Sequence, residues 1–198
     1  MAHIDYYFTP VSPYVYLAGM RLEAVAREAG ATVTYKPVDA AQLFARTGGL
    51  PLAQRHDSRK AYRLQELRRQ SIKLGLPINL QPMFWPVNPA PASYAIIAAQ
   101  MAGGGDIGAL AHGLTRACWA EQRDISDDEV IGAVMQAAGF DPAIAQKGML
   151  AAAETYAVNL EEAVGRGVFG VPFYVVGTEC FWGQDHIDDL AAHLAGRL

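Results

Sequence analysis

Hydrophobic and polar positions change rhythm along the 198-residue chain. Ile4-Asp5-Tyr6-Tyr7-Phe8 is short, aromatic and apolar and stops at Thr9-Pro10, as a buried strand of about five to six residues does. Val15, Leu17 and Met20 then recur at helical spacing among small residues as far as Gly30. Ser12 is placed to cap that helix and Pro13 to open it, where a missing N–H costs nothing. Ala31–Val38 alternates β-branched and polar residues and predicts a second strand. Strand, helix and strand together make a βαβ unit with a parallel pair.

From Asp39 to about Gly167 the pattern predicts no further strand. Arg59–Leu74 sets Tyr62, Leu64, Leu67 and Leu74 among Arg59, Lys60, Arg63, Arg68, Arg69 and Lys73, an amphipathic helix with a basic face. That face reads as solvated surface or as a polyanion site, and the acidic total favours the first. Pro77, Pro82, Pro86, Pro89 and Pro91 exclude a helix and predict a rigid loop. Its Leu80, Met83, Phe84 and Trp85 either line a pocket or pack onto the core. Ala92–Ala102 reads as a helix ended by Gly103-Gly104-Gly105, and Asp106 caps another running to about Arg123. Gly103, Gly105 and Gly108 match G-x-G-x-x-G, but a helix precedes them, so they read as a helix–helix loop. Ser126-Asp127-Asp128-Glu129 is a capping box for a helix to about Ala138. Asp141-Pro142 opens the next, interrupted at Gly148 and continuing to Arg166-Gly167. The β pattern returns in 169–177, entered through Val171-Pro172. Gly177-Thr178-Glu179 then forms a turn, Cys180-Phe181-Trp182 an antiparallel partner, and Ile187, Leu190 and Leu194 mark a last helix.

The predicted fold class is therefore α/β, a thioredoxin-like βαβ…ββα domain with a large all-helical insertion. Residues 1–38 and 168–198 form the first part, and 39–167 the helical insertion domain. With 52% hydrophobic and 18% charged residues the chain can bury a sizeable core, and its net charge of −4 argues against a nucleic-acid partner. Asp5 interrupts the first apolar run, so no signal peptide is expected, and no segment is apolar enough to span a membrane. Cys118 and Cys180 lie far apart and make no disulfide framework, which points to a reduced, cytoplasmic protein. The histidines show no metal-ligand spacing with the cysteines, and Gly-x-Ser-x-Gly is absent.

In a thioredoxin-like fold the turn from the first strand into the first helix carries the working residue. Free N–H groups and the positive end of the helix dipole favour an anion there. Redox members hold the first cysteine of Cys-x-x-Cys at that point. Here the residues are Ser12-Pro13-Tyr14-Val15, with no thiol.

Asp5-Tyr6-Tyr7-Phe8-Thr9-Pro10-Val11-Ser12-Pro13-Tyr14-Val15-Tyr16-Leu17-Ala18, Gly170-Val171-Pro172-Phe173-Tyr174-Val175 and Phe181-Trp182-Gly183-Gln184-Asp185 resemble the 2-hydroxychromene-2-carboxylate isomerases. Leu74-Gly75-Leu76-Pro77 and Phe84-Trp85-Pro86-Val87-Asn88 look like the same family, which is related to kappa-class glutathione transferases and DsbA-like oxidoreductases. The resemblance implies that Ser12 donates a hydrogen bond to the sulfur of glutathione, beside its role as a helix cap. It implies a cis bond before Pro172, with Val171 pairing with the tripeptide backbone. Gln184 and Asp185 would hold the γ-glutamyl end, although Asp185 also reads as a helix cap. The family's Thr-Gly-Asn…Pro…Lys run departs here to Thr47-Gly48-Gly49-Leu50-Pro51. That leaves Leu50 and Pro51 beside the cofactor and Arg59 or Lys60 for its glycine carboxylate. Tyr14, Phe84 and Trp85 would line the substrate pocket.

The resemblance thus implies a glutathione-dependent cis–trans isomerase of 2-hydroxychromene-2-carboxylate or a related small aromatic unsaturated keto acid. It also implies a homodimer. A kappa-class-like transferase conjugating electrophiles, or a non-catalytic thioredoxin-fold binding protein, are the competing readings.

Overall fold

A computed structural model describes residues 1–198. Strand β1 (His3–Phe8) runs parallel to β2 (Thr32–Pro37), with Tyr6 opposite Tyr35. It runs antiparallel to β3 (Phe173–Val176), which pairs antiparallel with β4 (Glu179–Trp182). The sheet order is β2-β1-β3-β4. Both faces of β1 are covered, which explains its nearly unbroken apolar run. Ile4, Tyr6 and Phe8 enter the larger core with Leu17, Ile96, Leu114 and Trp119. Tyr7 enters a separate cluster with Val38, Leu43, Leu160 and Phe173 on the other face.

Between the strands lie α1 (Pro13–Ala18) and α2 (Arg21–Ala29). The expected single helix from Pro13 to Gly30 is thus two. Gly19 adopts φ 60° and returns its N–H to the Tyr16 carbonyl, which ends the first helix early. Residues 39–167 contain helices and no strand: α3 (Ala40–Thr47), α4 (Asp57–Leu74), α5 (Ala90–Ala102), α6 (Ile107–Trp119), α7 (Asp128–Ala137), α8 (Ala143–Lys147) and α9 (Met149–Gly165). The chain closes with α10 (Ile187–Leu194). The larger core takes residues from the sheet, α1, α2 and the helices α4 to α7 together. No helix is long and apolar enough to cross a membrane.

Several boundaries differ from the sequence reading for local reasons. Asp106 does cap α6, accepting from the Ala109 N–H at 2.9 Å, but α6 ends at Trp119 rather than near Arg123. At α7 the cap is Asp127, not Ser126. Asp127 accepts from the Glu129 N–H at 2.7 Å, while Ser126 turns its N–H and hydroxyl to Asp124. The third strand is four residues long, Phe173–Val176, and the residues before it lie outside the ladder. Gly177 and Thr178 form a two-residue hairpin loop, with Gly177 at φ 60° as a tight turn of that kind demands.

Candidate active site

The end of β1 delivers Thr9-Pro10-Val11-Ser12 to the start of α1. Ser12 is 8% exposed and has extended backbone angles. Its Oγ accepts from the Val15 N–H at 3.4 Å, a long cap bond. Its own O–H meets no acceptor within the chain, so the hydroxyl is free to donate. The preceding carbonyl is held firmly: Trp85 Nε1 and Trp119 Nε1 each donate to Val11 O at 3.3 Å. The indoles sit 5.6 Å apart between centroids, and Trp119 is fully buried.

Register brings the other half of the site to the same end of the sheet. Tyr7 faces Phe173 and Phe173 faces Trp182, so the residues just beyond them, Ser12's turn, Pro172 and Gly183, share one edge. Pro172 O accepts from the Gly183 N–H at 2.9 Å. The Val171-Pro172 bond is cis, as the resemblance implies, and the Val171 N–H and carbonyl bond to nothing in the chain. Asp185 is exposed and unpaired, and it does not cap α10, whose cap position is His186 without a side-chain bond. Gln184 is 3% exposed, and Arg21 takes both its backbone carbonyl and its Oε1, at 2.8 and 2.5 Å. The amide nitrogen of the Gln184 side chain and its backbone N–H have no partner in the chain.

Beside α1, a cavity of about 370 Å³ is lined by Tyr14, Arg55, Ser58, Arg59, Tyr62 and Arg63. Arg59 faces it, whereas Lys60 turns to Asp57 at 3.2 Å, which separates the two candidate cations. Leu50 is half-exposed, and its carbonyl accepts from Arg55 Nε at 2.8 Å; Pro51 leads into a short 3₁₀ turn at Leu52–Gln54. Trp85 packs against the core, and Phe84 is 41% exposed without lining this cavity. The loop bearing them is pinned by Tyr16 Oη to Pro77 O at 2.6 Å and by Asn79 N–H to Trp119 O at 2.7 Å. A larger crevice of about 790 Å³ is lined by Thr9 and Val11 together with Asn88, Tyr94, Tyr156 and Leu160.

The cavity is electropositive. Burial strips solvent from Arg63 and lowers its pKa, and neighbouring Arg55 adds to the effect. Burial also raises the Tyr14 pKa, so its phenol stays protonated. Burial pushes the Cys118 thiol up to about 12, which leaves it a packed side chain rather than a nucleophile. The sequence reading missed Arg55, Ser58, Tyr62, Arg63 and Trp119. The i, i+4 spacing of Arg59 and Arg63 was the available signal, but it does not tell a solvated face from one folded over a cavity.

The chain belongs to the DSBA-like thioredoxin domain family, whose model matches residues 3–195. Within that family it is similar over its whole length to isomerases. It is 26% identical over 194 residues to the 2-hydroxychromene-2-carboxylate isomerase of Sphingobium xenophagum, covering 96% of this chain and 97% of the relative. It is 27% identical over 198 residues to the enzyme of that name from Pseudomonas putida, covering 98% and 95%. A solved structure of a 2-hydroxychromene-2-carboxylate isomerase superposes with a TM-score of 0.78 at 26% identity, covering 98% and 95% of the chains. The cytosolic disulfide reductase DsbM of Pseudomonas aeruginosa, solved with GSH, shares the fold at a TM-score of 0.69 and 19% identity, covering 98% of each chain.

Proposed function

We propose that the protein is a glutathione-dependent cis–trans isomerase of 2-hydroxychromene-2-carboxylate or a related aromatic unsaturated keto acid. The observation that carries this reading is the Ser12 hydroxyl, a free donor at a helix N-cap where a disulfide enzyme would hold a thiol. The residues around it suit the tripeptide. Val171 offers an unpaired backbone N–H and carbonyl for strand-like pairing. Asp185 offers an unpaired carboxylate for an ammonium, and Arg59 a guanidinium for a carboxylate.

Glutathione, which Val171, Gln184, Asp185 and Arg59 would hold, would supply a thiolate able to add reversibly to a conjugated carbon. The chain's own contribution is positional and electrostatic. Ser12 would donate to the sulfur and favour its ionised form, helped by the Tyr14 N–H, the one left free at the start of α1 because Pro13 has none and that of Val15 goes to Ser12 Oγ. The two indole bonds on Val11 O keep that turn in one geometry. The same reading carries a homodimer in a reducing compartment.

The test is incubation of the purified protein with glutathione and 2-hydroxychromene-2-carboxylate. Isomer appearance with total glutathione constant supports the proposal. Stoichiometric glutathione consumption would move it to the transferase reading.

A further inference from the structure

Among the cations of the Tyr14 cavity, Arg63 has the least explained position. Its guanidinium lies 5.5 Å from the Trp85 ring centre and 5.8 Å from that of Trp119. The ionisable groups that act on it are Tyr14 and Arg55, and no carboxylate is among them. The acids of α4 are engaged elsewhere: Asp57 with Lys60, and Glu66 with Arg69 and Gln70. Withdrawing a cation from water without a counter-ion is costly, and stacking on two indoles offsets only part of that cost. The planar fork of donors on Arg63 is left over.

We propose that Arg63 receives the carboxylate of the aromatic acid substrate. The proposal deepens the isomerase reading and rests on it for the position of the reacting carbon beside Ser12. In that reading Arg59 is taken by the glycine carboxylate of glutathione, and Arg55 already donates to the Leu50 carbonyl. Arg63 is the cation that remains. A guanidinium matches a carboxylate with two parallel bonds, which fixes orientation as well as charge. The rings of Tyr14 and Tyr62 line the cavity beside Arg63 and offer flat surfaces to an aromatic ring, while Trp85 and Trp119 lie outside its lining and pack against the guanidinium itself. A cavity of about 370 Å³ suits a compound of one or two rings.

Calorimetric titration without glutathione tests this with cinnamate and cinnamamide, which share a planar skeleton and differ in charge. Wild type is expected to bind cinnamate about tenfold or more tightly than cinnamamide, from one charged bidentate contact. Arg63→Met should abolish that preference and Arg59→Met should keep it; Arg63→Lys, which retains charge without the fork, should show a reduced preference. Melting temperatures of all variants report folding, and if Arg63→Met fails to fold, the lysine variant decides. Absence of cinnamate binding, equal binding of acid and amide, or a preference unchanged in Arg63→Met or, where that does not fold, in Arg63→Lys would overturn the proposal. So would inorganic phosphate displacing cinnamate as readily as a second aromatic acid does. Glutathione is titrated separately. Its failure to bind, with the Arg63-dependent preference intact, would retire the glutathione reading and leave the aromatic-acid site standing.

Discussion

Arg21 and Gln184 are joined twice, from the Arg21 guanidinium to the Gln184 carbonyl at 2.8 Å and to its Oε1 at 2.5 Å. The same guanidinium also donates to the carbonyls of Leu17 and Ala18, which the early end of α1 leaves without helical partners. One side chain therefore ties the helix behind Ser12 to the turn that carries Asp185. We expect Arg21→Met to lower stability by about 1–3 kcal/mol, since it leaves a buried amide oxygen unpaired. Glutathione affinity should fall with it, although Arg21 touches no ligand. Urea unfolding and calorimetry on the same samples check both; unchanged stability would mean that water replaces the guanidinium without loss.

Asp185 is the opposite case, with no partner in the chain. Asp185→Ala should therefore leave the urea midpoint unchanged while weakening glutathione by about tenfold or more, the worth of one charged hydrogen bond. An unaltered dissociation constant would place the γ-glutamyl end elsewhere.

Ser12→Ala removes a cap bond that is already long at 3.4 Å, so its stability cost should be about 1 kcal/mol or less. Affinity should persist through Val171, Asp185 and Arg59. Turnover should be lost, because without the donor the pKa of the bound thiol rises toward about 8.5 and less thiolate is present at neutral pH. Thiolate absorbance of bound glutathione against pH reads this directly. Superimposable curves for wild type and variant would reduce Ser12 to a helix cap.

Asp5 gives the fold a pH dependence remote from the site. Burial alone would raise its pKa, but the bond from Lys36 and the charges of Lys36, Arg166 and His3 outweigh burial and lower it. Lys36 lies 3.0 Å from Asp5, and the Arg166 guanidinium 2.5 Å. A carboxylate with a depressed folded pKa contributes stability above its unfolded value of about 3.9 and loses it as pH falls through the folded value. Asp5→Asn should thus be less stable than wild type at pH 7, by about 1 kcal/mol or more. The gap should close on acidification below about pH 4. Lys36 keeps Glu162 at 2.6 Å, so the variant is not left with an unpaired cation. Denaturant titrations of both proteins at neutral and acid pH check the convergence.

Local order was legible in the sequence wherever short-range chemistry decides it. The aromatic run Ile4–Phe8, the Ser12-Pro13 start of α1, the Asp106 cap and the Gly177-Thr178 turn all follow from propensity, capping and backbone freedom, which neighbours in sequence control. Ser12 and the Val171-Pro172 pair could be picked out because a residue at an element boundary announces itself by type. The break at Gly19 was not legible, since a single glycine inside a helical pattern is often tolerated. Nor was the choice of Asp127 over Ser126 as cap, which turns on Asp124 claiming the serine.

The sequence by itself determined the element order, the absent thiol and the residue types offered at the turn. Only the tertiary structure decided which long-range partners each would meet: that Arg21 occupies Gln184, that Lys60 goes to Asp57 while Arg59 faces the cavity, and that Arg63 lies over two tryptophans with no carboxylate near. The physical reason is range. Capping and periodicity act over a few residues, whereas the burial and charge balance of Arg63 depend on Tyr14, Trp85 and Trp119, from three separate parts of the chain that meet only when the core closes.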